Sequence, residues 1–170
     1  PMAFTVEWNL PVQMPGTSHW YLLASPADWD TANALSKAMV FQGMRGHLAT
    51  IQDHAENQFV AGIANGATAY IGGGDLGPSD GFDRNYGWLT GPESGSVMTR
   101  CHGMWSTNCS NTAGSYTAWA VDQPDGSWGE SYPMRLTTNF RGVPGLWDDV
   151  WGRAGDLRPY VVEFEQLRPE

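Results

Sequence analysis

The stretch Val121-Asp122-Gln123-Pro124-Asp125-Gly126-Ser127-Trp128-Gly129-Glu130, read together with Trp147-Asp148-Asp149, decides how the rest of this chain is understood. A carboxamide and a carboxylate flank a proline, a tryptophan and a glutamate follow, and two further carboxylates stand later in the sequence. Side-chain oxygens in that number, with no thiol or imidazole among them, suit a hard cation such as Ca2+, which takes about 6–8 oxygen ligands. The remainder reads as the scaffold that holds this cluster.

Working outward, the 170 residues are enough for one domain with a sizeable core. A formal charge of −9 argues against a nucleic-acid or anionic-membrane partner, which would favour a basic patch. Nine Trp, 21 Gly and 11 Pro describe a compact, loop-rich chain. No apolar run approaches the roughly 20 residues that span a bilayer, so membrane insertion is not expected. A processed chain or a module of something larger is the expectation.

Cys101 and Cys109 lie close together in a Ser/Thr/Gly/Asn-rich segment. They read as a local disulfide pinning a surface loop outside the cytosol, or else as two free thiols. Neither has histidine partners at zinc spacing; His102 is adjacent but lone, and His19, His47 and His54 look scattered.

Before the oxygen-rich stretch, Ala3–Leu10 alternates like a strand, Pro11–Gly16 reads as a turn and His19–Ala24 as a second strand. Ser25-Pro26 has the form of a helix cap followed by a first-turn proline. Trp29, Ala32, Leu35, Met39 and Val40 then recur at helical spacing up to Gly43. Asp53-His54-Ala55-Glu56 opens a second helix through Phe59, Val60 and Ile63, stopping at Asn65-Gly66. Strands are expected at Ala67–Gly73, Tyr86–Thr90, Tyr132–Thr137, Gly145–Trp147 and Pro159–Glu165, with an irregular segment from Gly91 to Ser115. Two early helices and later short strands make an α+β domain with long loops, and loops of that length are usually functional.

The ordered set Trp29, Ala32, Gly46-His47-Leu48-Ala49-Thr50-Ile51, Glu56, Tyr70-Ile71-Gly72, Trp88-Leu89-Thr90-Gly91, Tyr116-Thr117-Ala118-Trp119, Gln123-Pro124-Asp125, Trp147-Asp148-Asp149 and Tyr160-Val161-Val162-Glu163 resembles a C-type lectin-like domain. The match runs from about His19 to Glu165. It implies a double-loop fold in which the N- and C-terminal strands pair, two helices flank short antiparallel sheets, and a long loop region carries a Ca2+-dependent sugar site. On this reading residues 1–170 form one such domain, with an N-terminal extension over 1–18 and a loop insertion over 92–115.

The resemblance implies that calcium is held by Gln123, Asp125, Glu130, Asp148 and Asp149, the last through both side chain and backbone carbonyl. Sugar would be met by Gln123, Asp125, Glu130 and Asp148, with Trp128 stacking on its apolar face. In this family Glu-Pro-Asn goes with mannose-type sugars and Gln-Pro-Asp with galactose-type sugars, so galactose-type glycans are the expected partners. Exchanging the amide and acid ends reverses the donor and acceptor pattern offered to two hydroxyls. Pro124 is a candidate cis proline. Trp128 could alternatively pack in the loop or core, and the acidic cluster could be ordinary solvated surface.

Some positions depart from the family pattern. Asp148 stands where Asn is usual, and an ionised Asp cannot donate to a sugar hydroxyl. Gly152 and Val162 occupy places where framework cysteines are expected. Asp75, Asp80 and Asp83 are candidates for a second calcium, or an acidic turn-rich loop, and Gly126 stands where another auxiliary ligand is expected. Trp105 either extends the sugar site or caps the core.

Enzymatic readings find little support. Gly77-Pro78-Ser79-Asp80-Gly81 matches a nucleophile-elbow pattern but lies in a polar loop rather than between strand and helix. A glycosidase could use two of the clustered carboxylates, yet calcium would keep them ionised. The expectation is therefore a non-enzymatic, extracellular or cell-surface lectin module made multivalent by an oligomer or a parent protein. A protein-recognition module with purely structural calcium is the alternative.

Overall fold

The computed structural model describes residues 10–77, 83–102, 108–125 and 134–166. The elements in chain order are β1 (Val12–Gln13), β2 (Trp20–Ala27), α1 (Trp29–Ala38), β3 (Val40–Phe41), β4 (Met44–Leu48), α2 (His54–Ile63) and β5 (Ala69–Asp75). They continue with β6 (Asp83–Trp88), β7 (Val97–His102), β8 (Cys109–Asn111), β9 (Met134–Thr138), β10 (Asp148–Trp151) and β11 (Arg158–Phe164). The α+β class follows as expected. Strand Ala3–Leu10 falls almost wholly outside the described residues.

The early strand β2 and the last strand β11 pair antiparallel, Tyr21 opposite Glu163 and Phe164 opposite Trp20. On its other edge β11 pairs antiparallel with β4 and meets β5 in parallel at Tyr160 and Tyr70. That parallel contact makes the sheet mixed rather than purely antiparallel. From β5 the sheet runs on through β6, β7 and β8, while β9 bonds both β5 and β10.

Helix α1 begins later than Ser25-Pro26 suggested. Both residues belong to β2, where Ala27 still pairs Arg158 across a register shift in β11. A bulge of that kind tolerates a proline that cannot donate to the ladder. The helix is capped instead by Asp28, whose carboxylate accepts from the Thr31 N–H at 2.9 Å. It ends at Met39, which adopts extended geometry. Val40 is accordingly a strand residue, 64% exposed, and Gly43 at φ +80° follows Gln42 at φ +49° in the tight turn between β3 and β4. Helix α2 matches its sequence signals: Asp53 accepts from the Glu56 N–H at 2.9 Å, and the chain turns at Asn65 and Gly66, both with positive φ.

The interval 92–115, expected to be irregular, contains β7 and β8. The strand expected at Gly145–Trp147 is displaced to β10, and Trp147 itself makes a parallel bridge to Trp119.

Trp147 is the pivot of the larger core, fully buried and met edge-on by Trp88, Tyr116 and Trp119. Its indole N–H donates to Asn57 Oδ1 at 2.8 Å, and Asn57 Nδ2 donates to the Gly145 carbonyl at 2.9 Å. Helix α2 thus grips the segment entering β10, consistent with the rule that buried polar groups are paired. Gly72 lets β5 approach its neighbours: a Cβ there would lie 2.1 Å from Thr90 Oγ1 and 2.5 Å from the Leu48 carbonyl.

Candidate functional site

The anchored Trp147 delivers Asp148 and Asp149 at the start of β10, opposite Thr137 and Leu136 of β9. The Trp147 carbonyl accepts from the Ala120 N–H at 2.9 Å, which docks the segment leading to Gln123 beside them. Asp122 adopts positive φ and the Gln123–Pro124 peptide bond is cis. Asp125 donates its backbone N–H to Gln123 Oε1 at 3.0 Å and to Asp149 Oδ1 at 2.9 Å. The second of these bonds ties the proline loop to β10, bringing together two segments that are distant in sequence. Asp149 is 5% exposed, and its other oxygen accepts from the Tyr86 hydroxyl.

Electrostatics record the crowding. Asp148 is pushed up to about 6, first by burial and then by the charges of Asp149 and Asp125, with Arg158 opposing. Repulsion among neighbouring carboxylates is relieved by a proton or by a bound cation. The donor set of Gln123, Asp125, Asp148 and Asp149 is all oxygen and fits Ca2+ in kind. Two further expected participants, Glu130 and Trp128, lie outside the described residues, as do Asp80 and Trp105.

Solved structures with this architecture decide what the fold is. A C-type lectin from Cucumaria echinata, CEL-I, superposes with a TM-score of 0.57 at 21% identity, covering 91% of this chain and 99% of that one. The chain has the C-type lectin-like fold. Herring type II antifreeze protein shares it with a TM-score of 0.58 at 18% identity, over 89% of this chain and 94% of its own. Among curated proteins, halomucin of Haloquadratum walsbyi is 29% identical over 156 residues, which is 90% of this chain. This chain spans only 2% of the length of halomucin. No family model matches the sequence.

Two of the three candidates for a second ion lie among the described residues. Asp75 pairs with Arg84 at 2.7 Å and accepts from the Gly77 N–H, and Asp83 pairs with His102 at 3.1 Å. Cys101 and Cys109 form a disulfide across β7 and β8, and Cys109 Sγ lies 4.0 Å from the Pro124 carbonyl oxygen. The bridge therefore backs the proline loop as well as pinning its own hairpin. No helix among the described residues is long and apolar enough to cross a membrane.

Sequence reasoning missed two sets of residues. Tyr86 gave no signal as the donor to Asp149. Two of the histidines that looked scattered converge on one face: His19 Nδ1 lies 2.6 Å from Glu163 Oε1, and His47 Nε2 lies 3.2 Å from Glu165 Oε1. The available signal was alternation, since His19 and Tyr21, like Glu163 and Glu165, stand two apart on strand-like segments and so face one side.

Proposed function

We propose that this chain is a calcium-dependent carbohydrate-binding module with a preference for galactose-type sugars. Calcium would be held by Gln123, Asp125, Glu130, Asp148 and Asp149, and it supplies open coordination positions for a pair of sugar hydroxyls. The observation that supports the reading is the Asp125 N–H to Asp149 Oδ1 bond of 2.9 Å, which ties the two oxygen-rich segments to each other.

The protein's own groups divide the remaining work. Gln123 Nε2 is a donor, the carboxylates of Asp125 and Glu130 are acceptors, and Trp128 offers a flat apolar face for the sugar ring. Asp148, ionised, accepts only, so one hydroxyl loses a donor and affinity is modest. The disulfide suits an oxidising, extracellular setting. The C-type lectin-like neighbours support a binding module over an enzyme, and multivalency through an oligomer or parent protein would offset weak single sites.

A second reading has its own observation. Both oxygens of Asp149 already accept internal hydrogen bonds, and the same fold serves an antifreeze protein. The second reading is a protein-recognition module in which calcium is purely structural. Isothermal titration with galactose, mannose and glucose, each with calcium and with chelator, separates the two. Calcium-dependent heat with galactose supports the first; calcium-dependent stability with no sugar heat supports the second.

A further inference from the structure

Three adjacent strands carry two histidines and two glutamates to one face of the sheet, on elements other than the proline loop and β10. Glu163 of β11 lies opposite Tyr21 of β2 and opposite His47 of β4. Residues directly opposite share a face, and so do residues two apart on a strand. Glu165 and His19, each two positions further out, therefore extend the same face, just past the paired ends of β11 and β2.

The side chains converge. His19 Nδ1 lies 2.6 Å from Glu163 Oε1, His19 Nε2 3.7 Å from Glu165 Oε2, and His47 Nε2 3.2 Å from Glu165 Oε1. One ligand atom from each of His19, Glu163 and Glu165 falls within 4.8 Å of the others, and among the described residues no other group of three His, Cys, Asp or Glu does so. A tetrahedral ion with ligand bonds of about 2.1 Å holds its ligands about 3.4 Å apart. The side-chain contacts use both nitrogens of His19 and both oxygens of Glu165, so an ion would take one atom from each residue, all within the 4.8 Å bound. The closest contact is the one with room to open, since His19 is a third exposed and precedes β2.

The surroundings orient these groups as ligands. His47 Nδ1 lies 3.0 Å from the Leu48 carbonyl, which only accepts, so Nδ1 carries the proton and the lone pair of neutral imidazole sits on Nε2. Nε2 and the Glu165 carboxylate are then two acceptors in contact, a pairing that only a proton or a metal ion can join. Glu163, 1% exposed, is fixed from behind by the Tyr21 hydroxyl at 3.1 Å and the Thr50 N–H at 3.1 Å. Backing of this kind, a ring nitrogen on a carbonyl and a carboxylate on protein donors, is how metal ligands are held.

We propose that His19, Glu163 and Glu165 form a site for a divalent transition-metal ion of the zinc type, with His47 Nε2 alongside at 3.2 Å from Glu165 Oε1. Imidazole with carboxylate suits such ions, whereas Ca2+ takes oxygen donors. The ion would join the start of β2 to the end of β11, and its binding energy would add to folding stability. This site is independent of calcium and sugar at the loop.

The test is isothermal titration of the full chain with Zn2+ in a buffer holding saturating Ca2+, which occupies any oxygen-only site. One Zn2+ should bind per chain and raise the melting temperature. His19→Ala and the milder Glu165→Gln should each weaken binding about tenfold or more, with circular dichroism unchanged. His102→Ala, removing the histidine paired with Asp83, should bind as wild type. Absence of Zn2+ uptake by the wild-type chain would overturn the proposal. So would unchanged affinity in both ligand variants, or displacement of Zn2+ by Ca2+ one for one.

Discussion

The hydroxyl of Tyr86 donates a hydrogen bond to Oδ2 of Asp149, joining β6 to the strand that carries both aspartates of the candidate site. A carboxylate this deeply buried needs donors on its oxygens to remain ionised. Burial and the neighbouring Asp149 charge push the Tyr86 hydroxyl up, so it keeps its proton and stays the donor. Removing it with Tyr86→Phe leaves Asp149 only the Asp125 N–H among these two donors. The expected loss is about 1–3 kcal/mol, the cost of a buried acceptor left short of a partner. Urea denaturation in chelator measures it, and an unchanged midpoint would mean that the carboxylate finds another donor. Calcium affinity should fall in the same variant, because the side chain is no longer held in place.

The sugar preference assigned to Gln123 and Asp125 can be reversed without altering volume. Both residues are tied into the loop through the Asp125 N–H, which accepts no change when Gln123→Glu and Asp125→Asn are combined, since either side chain at 123 still offers an oxygen. The donor and acceptor ends of the cluster exchange places. The ratio of mannose to galactose affinity should rise by about tenfold or more, a difference of roughly 1.4 kcal/mol. Competition titration with the two monosaccharides reads that ratio. Retained galactose selectivity in the double variant would sink the donor and acceptor argument.

How much of this was legible in the sequence depended on whether the decisive interaction was local. Asp53 and Glu56 announce α2 correctly because a cap is satisfied within one turn. Ser25 and Pro26 announce a helix that starts later, because pairing of β2 with β11 reaches Ala27 and overrides a plausible cap. The hairpin of β7 and β8 was hidden by composition: its Ser, Thr and Asn residues read as loop, and pairing is supplied by β6 and by the Cys101–Cys109 bridge. The proposed loop site drew on residues close together in sequence, a carboxamide and a carboxylate on either side of Pro124. The His19–Glu163 contact was not legible, because its partners are 144 residues apart and nothing in either segment names the other.

Calcium and pH should oppose each other at Asp148. Its carboxyl is raised from 3.8 to about 6, chiefly by burial and then by Asp149 and Asp125. In ion-free protein the folded state therefore holds this proton more tightly than the unfolded chain does. That contribution is complete below about 3.8 and is lost as pH rises through about 6. Calcium requires the ionised form, so its stabilisation should be absent at low pH and develop through the same window. Melting temperatures with calcium and with chelator, compared from pH 4 to pH 7.5, give the difference directly. A calcium-induced rise as large at pH 4.5 as at pH 7.5 would exclude Asp148 as a ligand.

On the histidine face the alkaline limb is informative. His19 is raised from 6.5 to about 9, mainly by its hydrogen bond to Glu163, with burial opposing and the charges of Glu163, Glu165 and Glu56 adding. His47 moves the same way: burial works against its charge, but the Glu165 hydrogen bond and the Glu163 charge outweigh it. Glu56 is raised to about 7 by burial and by Glu163, so its contribution is complete below about 4.5 and gone above about 7. Tyr21, buried between Glu56 and Glu163, is pushed up and keeps its proton throughout. Metal-free protein should therefore hold the His19 contribution fully below about 6.5 and lose it as pH rises through about 9. Because His19 is partly exposed, solvent screening keeps the effect modest. In chelator, the melting temperature of the wild type should decline from pH 7 to pH 10, and His19→Gln, which cannot take up the proton, should show a flatter decline. Parallel curves for the two proteins above pH 7 would mean that the His19–Glu163 pair carries no charge-dependent stability.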